Sequence, residues 1–280
     1  MHALRAVAAS LICGMLALTA AAATSVLTVT AGGRTSTYTS ATLLTLPGAT
    51  TINVPEDVAY KRPMSFHAVP LASLLQGVLP GDTLRFIAND GFTATLPAAP
   101  LLAAGNGARA FLAVEPQDAP WAPLKVGEAA TAGPFYLVWL QPERGGITPE
   151  QWPYQIARIE AVAPLAKRFP MIAPAAGLGT TGPVRRGFVT FQKDCMVCHT
   201  MNLGGDASIG PDLNVPYNPT EYLRADALRR LIRDPQALRR WPGARMPPFD
   251  AKALSDRELT DLLAYLRHMA DRKVVLPVAK

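Results

Sequence analysis

Between residues 25 and 163 the apolar positions come in short runs of strand length, broken by Gly, Pro and Asp. Ser25–Thr30, Thr83–Ala88, Arg109–Glu115, Phe135–Leu140 and Tyr154–Ala161 predict strands. Short helical patterns such as Leu71–Leu75 lie between them. From Ala163 to Gly182 the chain is rich in Pro, Ala and Gly and reads as a linker. The period then becomes helical. Arg185–Lys193 predicts one helix, and Asn218-Pro219-Thr220-Glu221 predicts a capped start of another running to about Arg233. Ser255-Asp256-Arg257-Glu258 has the form of a capping box, and Leu259, Leu262, Leu263 and Leu266 after it share one helical face. The pattern predicts two domains, α+β over 24–163 and all-α over 183–280, joined by a linker over 164–182. A chain of 280 residues holds two cores of ordinary size.

The first 23 residues predict a cleaved secretory signal: Arg5, a short apolar run from Ala6 to Leu18, and an Ala-rich cleavage site over Ala20–Ala23. That run is too short for an ordinary membrane span, and no later stretch is long and apolar enough for one. The expectation is a periplasmic protein without a membrane span in its mature form. Charge is unevenly placed. Residues 24–182 hold ten basic and ten acidic residues, whereas 183–280 hold sixteen and eleven. Arg229, Arg230, Arg233, Arg239, Arg240 and Arg245 carry much of that excess. Basic runs are commonly solvated helix faces; the sharper reading is a docking surface for an acidic protein partner. An exported protein of this kind is not expected to bind nucleic acid.

Cys195-Met196-Val197-Cys198-His199 changes the picture most. C-x-x-C-H is the c-type haem attachment signature. Two thiols on one helical turn reach both vinyl groups of a porphyrin, and the next residue places an imidazole at the iron. A zinc site would want further Cys or His ligands, and a redox dithiol would use the pair as a disulfide. The only other cysteine is Cys13, inside the predicted signal, so the mature chain has two thiols for one haem c. Met246, 47 positions after His199 and followed by Pro247-Pro248, is the candidate second axial ligand.

Around this motif, residues 183–272 resemble class I c-type cytochromes. Gly187 and Phe191 lie eight and four positions before Cys195, similar to the family's G-x-x-x-F helix, and Tyr265-Leu266 resembles the pair that packs against that glycine. Gly210-Pro211-Asp212-Leu213 resembles the loop whose proline carbonyl accepts a hydrogen bond from the axial His, and Trp241 resembles the propionate-binding indole. The resemblance implies a cytochrome c fold, His199 and Met246 as axial ligands, and electron transfer. Methionine ligation raises the reduction potential.

Residues 66–162 more faintly resemble the molybdopterin-binding domain of the sulfite oxidase family. Phe66 to Leu75 looks like its W-x-G-V-P-L-x-x-L-L helix, Asn89-Asp90-Gly91-Phe92 like its D-G-Y turn, and Phe111-Leu112-Ala113, Gly133-Pro134-Phe135 and Tyr154–Ala161 follow its order. That family holds molybdenum through a cysteine thiolate, and Thr51 to Ser65 contains none. A Thr or Ser does not replace a soft charged ligand, so the expectation is a degenerate scaffold. His67 reads as structural. The preferred expectation is an electron carrier or subunit for a periplasmic dehydrogenase. The alternative is a molybdopterin-dependent oxidoreductase that passes electrons from a small anion to its haem.

Overall fold

The computed structural model describes residues 25–207, 209–243 and 245–275. The predicted signal and Cys13 lie outside the described residues. The first half is mostly β-sheet. Its strands are β1 Val26–Ala31, β2 Arg34–Thr39, β3 Thr50–Val54, β4 Met64–Pro70, β5 Thr83–Ala88, β6 Thr93–Pro97, β7 Arg109–Val114, β8 Phe135–Leu140 and β9 Ile156–Val162. One sheet has the order β2-β1-β9-β5-β6 and the other β3-β4-β7-β8. Within the first sheet β1 runs parallel to β9; the second is antiparallel throughout.

Both sheets feed one apolar core that includes Leu27, Phe66, Phe86, Leu112 and Trp139. Side chains 135–139 of β8 are at most 1% exposed. A continuously apolar strand such as Phe135-Tyr136-Leu137-Val138-Trp139 buries both faces of its pleat. The Trp139 indole N–H reaches the Gln151 carbonyl at 2.9 Å, so even this interior group is satisfied.

Two differences from the sequence expectation stand out. Helix content in this half is slight, its α-helices Ser40–Leu44 and Ala98–Leu102 having five residues each. The Phe66–Leu75 segment, expected as a helix, is strand β4 up to Pro70, and only Leu71–Leu74 makes a 3₁₀ turn. Phe66 and Ala68 are buried while Ser65 and His67 are exposed, a period of two that suits a sheet. His67 pairs across to Thr51, its Nδ1 at 3.2 Å from the hydroxyl.

The segment read as a linker opens with a helix, Leu165–Arg168, and a 3₁₀ turn, Pro170–Ile172, that pack on the C-terminal core. Ile172 is fully buried, and its carbonyl accepts the Tyr265 hydroxyl at 2.7 Å. In the C-terminal half a helix Pro183–Thr190 crosses the long helix Asp256–Ala270. A Cβ on Gly187 would collide with the Asp261 carbonyl and lie 2.8 Å from Tyr265 Cβ, so only glycine permits this approach. The Ser255–Glu258 capping box is formed. The helix expected from Pro219 to Arg233 is split: Pro219–Tyr222 ends at an extended Leu223, and Ala225–Arg233 follows. Among the described residues no helix is long and apolar enough to cross a membrane.

Candidate functional site

After Thr190 the first helix of the C-terminal half widens into a π-helical turn, Phe191–Cys195, closed by the Met196 N–H on the Phe191 carbonyl at 3.0 Å. Such a bulge often marks a functional position. The Cys198 and His199 N–H groups then both reach the Cys195 carbonyl, at 3.1 and 2.9 Å. This coil keeps the two thiols and the imidazole, at positions 195, 198 and 199, on one compact turn. Both cysteines are free thiols, and burial pushes both thiol pKa values up.

His199 Nδ1 lies 2.8 Å from the Pro211 carbonyl oxygen. A carbonyl only accepts, so Nδ1 carries the proton and Nε2 keeps its lone pair. Burial lowers the His199 pKa, partly offset by the Pro211 hydrogen bond and the Asp212 charge. Burial disfavours the charged ring, and the neutral form with its proton on Nδ1 is the tautomer that binds a metal through Nε2. Gly210 lies flat beneath it: a Cβ there would fall 2.5 Å from His199 Cε1. Two free thiols and an oriented, unprotonated Nε2 fit covalent haem with one axial imidazole.

Met246 is half-buried and packs on the C-terminal core with Phe249 and Leu231. Its loop is gripped from behind by Arg233, whose Nη1 donates to the Phe249, Asp250 and Leu254 carbonyls at 2.8, 3.1 and 2.5 Å. Nη2 reaches Asp256 at 2.7 Å. Arg233, expected on a docking face, is thus spent on structure. Trp241 stands 59% exposed, and its main chain is tied to the Gln236 side chain. The structure joins Pro211 to His199 and leaves Trp241 on the surface. Arg239, Arg240 and Arg245 are exposed near it.

Three features escaped the sequence reading. Asp212 accepts four hydrogen bonds beside Pro211. Buried Asn202, Asn214 and Asn218 form an amide ladder along the end of the long helix. Asn218 Nδ2 donates to Asn214 Oδ1 and the Leu266 carbonyl; Asn214 Nδ2 donates to Asn202 Oδ1 and the Met269 carbonyl; Asn202 Nδ2 donates to the Met171 and Arg272 carbonyls. The carbonyls at this helix end thereby gain the partners that a helix terminus lacks.

The third feature is the seam between the halves. Val197, inside the C-x-x-C-H motif, packs on the core of the first half. Thr148 donates its hydroxyl to Asp194 at 3.0 Å. Asp206 receives Arg85 of β5 at 3.1 Å, Thr95 of β6 at 3.2 Å and Arg168 at 2.8 Å. Arg85 also pairs with Glu160 of β9 at 2.5 Å.

Compared with known proteins, the chain matches the family model described as Cytochrome c over residues 184–270. No curated protein matches it. The C-terminal half therefore contains a cytochrome c domain, a class defined by haem c binding and haem-based electron transfer.

Proposed function

We propose that the protein is an exported monohaem c-type cytochrome that moves single electrons for a periplasmic dehydrogenase. The observation that carries this reading is His199, with Nδ1 engaged by Pro211 and Nε2 free, on the same turn as two free thiols. Cys195 and Cys198 would hold haem c through their thiols, and His199 and Met246 would ligate its iron. Haem c bound in this way supplies a one-electron couple. The Pro211 carbonyl fixes the imidazole and raises its basicity. The Arg233 bonds hold the Met246 loop on the core and limit how far the thioether can move. Trp241 would offer its indole N–H to the haem propionates.

Exposed Arg239, Arg240 and Arg245, with the indole of Trp241 among them, form the face that meets an acidic redox protein or the dehydrogenase itself. Opposite charge steers such encounters. The first half serves as a docking and shielding domain derived from a molybdopterin-binding fold of the sulfite oxidase type. It supplies no thiolate for molybdenum, since residues 24–182 contain no cysteine.

Metal analysis of the protein purified from its native compartment tests this reading. One iron per chain and no molybdenum is the expected result. Stoichiometric molybdenum would replace the carrier by a molybdopterin-dependent oxidoreductase.

A further inference from the structure

Asp212 follows the residue whose carbonyl orients His199. Its Oδ2 accepts the Thr200 hydroxyl and the Leu203 N–H, both at 2.7 Å. Its Oδ1 accepts the N–H groups of Asn214 and Val215 at 2.8 and 2.7 Å. All four donors are neutral groups, and together they use the lone pairs of both carboxyl oxygens. Thr200 and Leu203 follow His199 on one side of the loop, and Asn214 and Val215 follow Pro211 on the other. The carboxylate is therefore a rivet between the segment that carries the imidazole and the segment that carries its acceptor.

The rivet holds a conformation the backbone would not choose. Asn202 and Leu203 have φ of +54° and +63°, a left-handed region that Asn enters readily and that disfavours a bulky residue such as Leu203. The turn is closed by reciprocal bonds between Met201 and Gly204 at 3.1 and 2.9 Å. Asn202 is locked from the far side by the amide ladder and by the Val274 N–H on its Oδ1 at 3.2 Å. Strain persists where surrounding contacts over-determine the geometry, and the Asp212–Leu203 bond is one of those contacts.

We infer that Asp212 is a positioning residue for the axial imidazole. It sets the Pro211 carbonyl on His199 Nδ1 and places a fixed negative charge beside the ring. This rests on the reading of His199 as an iron ligand. A carboxylate near a metal-bound imidazole strengthens donation to the metal, which favours the oxidised state and lowers the reduction potential.

The test uses the haem-loaded full chain. Replacing Asp212 by Asn preserves shape but removes the charge and turns one acceptor into an amide that faces the Leu203 N–H. The reduction potential of Asp212→Asn should rise, and the paramagnetically shifted haem-methyl resonances should move as the imidazole plane turns. Thr200→Val keeps the charge and removes one donor; it should move the methyl resonances with a smaller rise in potential. A wild-type potential and wild-type methyl shifts in both variants would overturn the inference. The underlying ligation is judged separately by His199→Gly, whose low-spin spectrum should vanish and return with added imidazole. If His199→Gly keeps a wild-type spectrum, the ligation reading fails, whatever Asp212→Asn does.

Discussion

The Thr148 hydroxyl donates at 3.0 Å to Asp194, the residue directly before the first motif cysteine, and both lie buried between the two halves of the protein. Burial pushes the Asp194 carboxyl up to about 7, against the Lys193 charge and the Thr148 hydrogen bond. A raised folded-state pKa stabilises the protein fully below the unfolded value and loses that contribution as pH rises through the folded one. The window here is therefore pH 4 to about 7, with the seam weakest on the alkaline side. Asp194→Asn should raise the melting temperature at pH 8 by roughly 5 °C or more and flatten its decline from pH 5 to 8. Thermal melts across that range check this; a parallel decline in wild type and variant would remove Asp194 as the cause.

Asp206 behaves in the opposite way. Burial alone would raise its pKa, yet the hydrogen bonds and charges of Arg168 and Arg85 hold it below the usual carboxylate range. Its contribution is present above the unfolded value and fades only as pH falls through the depressed one. Asp206→Ala leaves Arg168 without its carboxylate and Arg85 with Glu160 alone, a change that costs on the order of 1–3 kcal/mol. Hydrogen exchange at neutral pH should show β5 and the 165–172 segment opening faster in the variant. Unchanged protection would mean the clamp does not hold the halves together.

Gly210 should tolerate no side chain. A Cβ there falls 2.5 Å from His199 Cε1 and 2.6 Å from Nδ1, so Gly210→Ala must push the ring off the Pro211 carbonyl. The expected outcome is poor haem retention and a partly high-spin spectrum. Gly187→Ala separates two helices instead, and should lower stability by about 1–3 kcal/mol with the spectrum of surviving protein unchanged. Optical spectra and denaturant titrations of the two variants distinguish the effects.

The arginines between 229 and 245 should split into two classes. Arg239→Glu with Arg240→Glu should slow electron exchange with an acidic partner about tenfold or more at low salt and remove most of its salt dependence. Arg233→Ala should leave that rate's salt slope intact and lower stability, because its guanidinium holds the loop after Met246. Stopped-flow rates across ionic strength measure both.

Signals that act over a few residues were legible in the sequence. The Ser255–Glu258 box, the Asn218 cap with Pro219 behind it, and the apolar runs of β5 and β8 each carry their own local pattern. β2 was missed because Arg34–Thr39 is a polar edge strand with no apolar period. β4 escaped because Phe66–Leu75 resembles a family helix and Leu71, Leu74 and Leu75 just after the strand have helical spacing, while the strand's own period of two is fixed by pairing with β3 and β7. The thiols and His199 were legible as a five-residue motif. Asp206 was not, since Arg85 and Thr95 lie more than a hundred positions away in sequence. The asparagine ladder hid for the same reason: Asn218 finds the Leu266 carbonyl only after the long helix has docked.

The central claim is a haem c held by His199 and Met246, the latter through its thioether sulfur. The weak far-red charge-transfer band of the oxidised protein reports that iron–thioether bond directly. The wild-type protein should show the band, and Met246→Ala should abolish it while Trp241→Phe keeps it. A band that survives in Met246→Ala, or that is absent from the wild-type protein, would contradict the account.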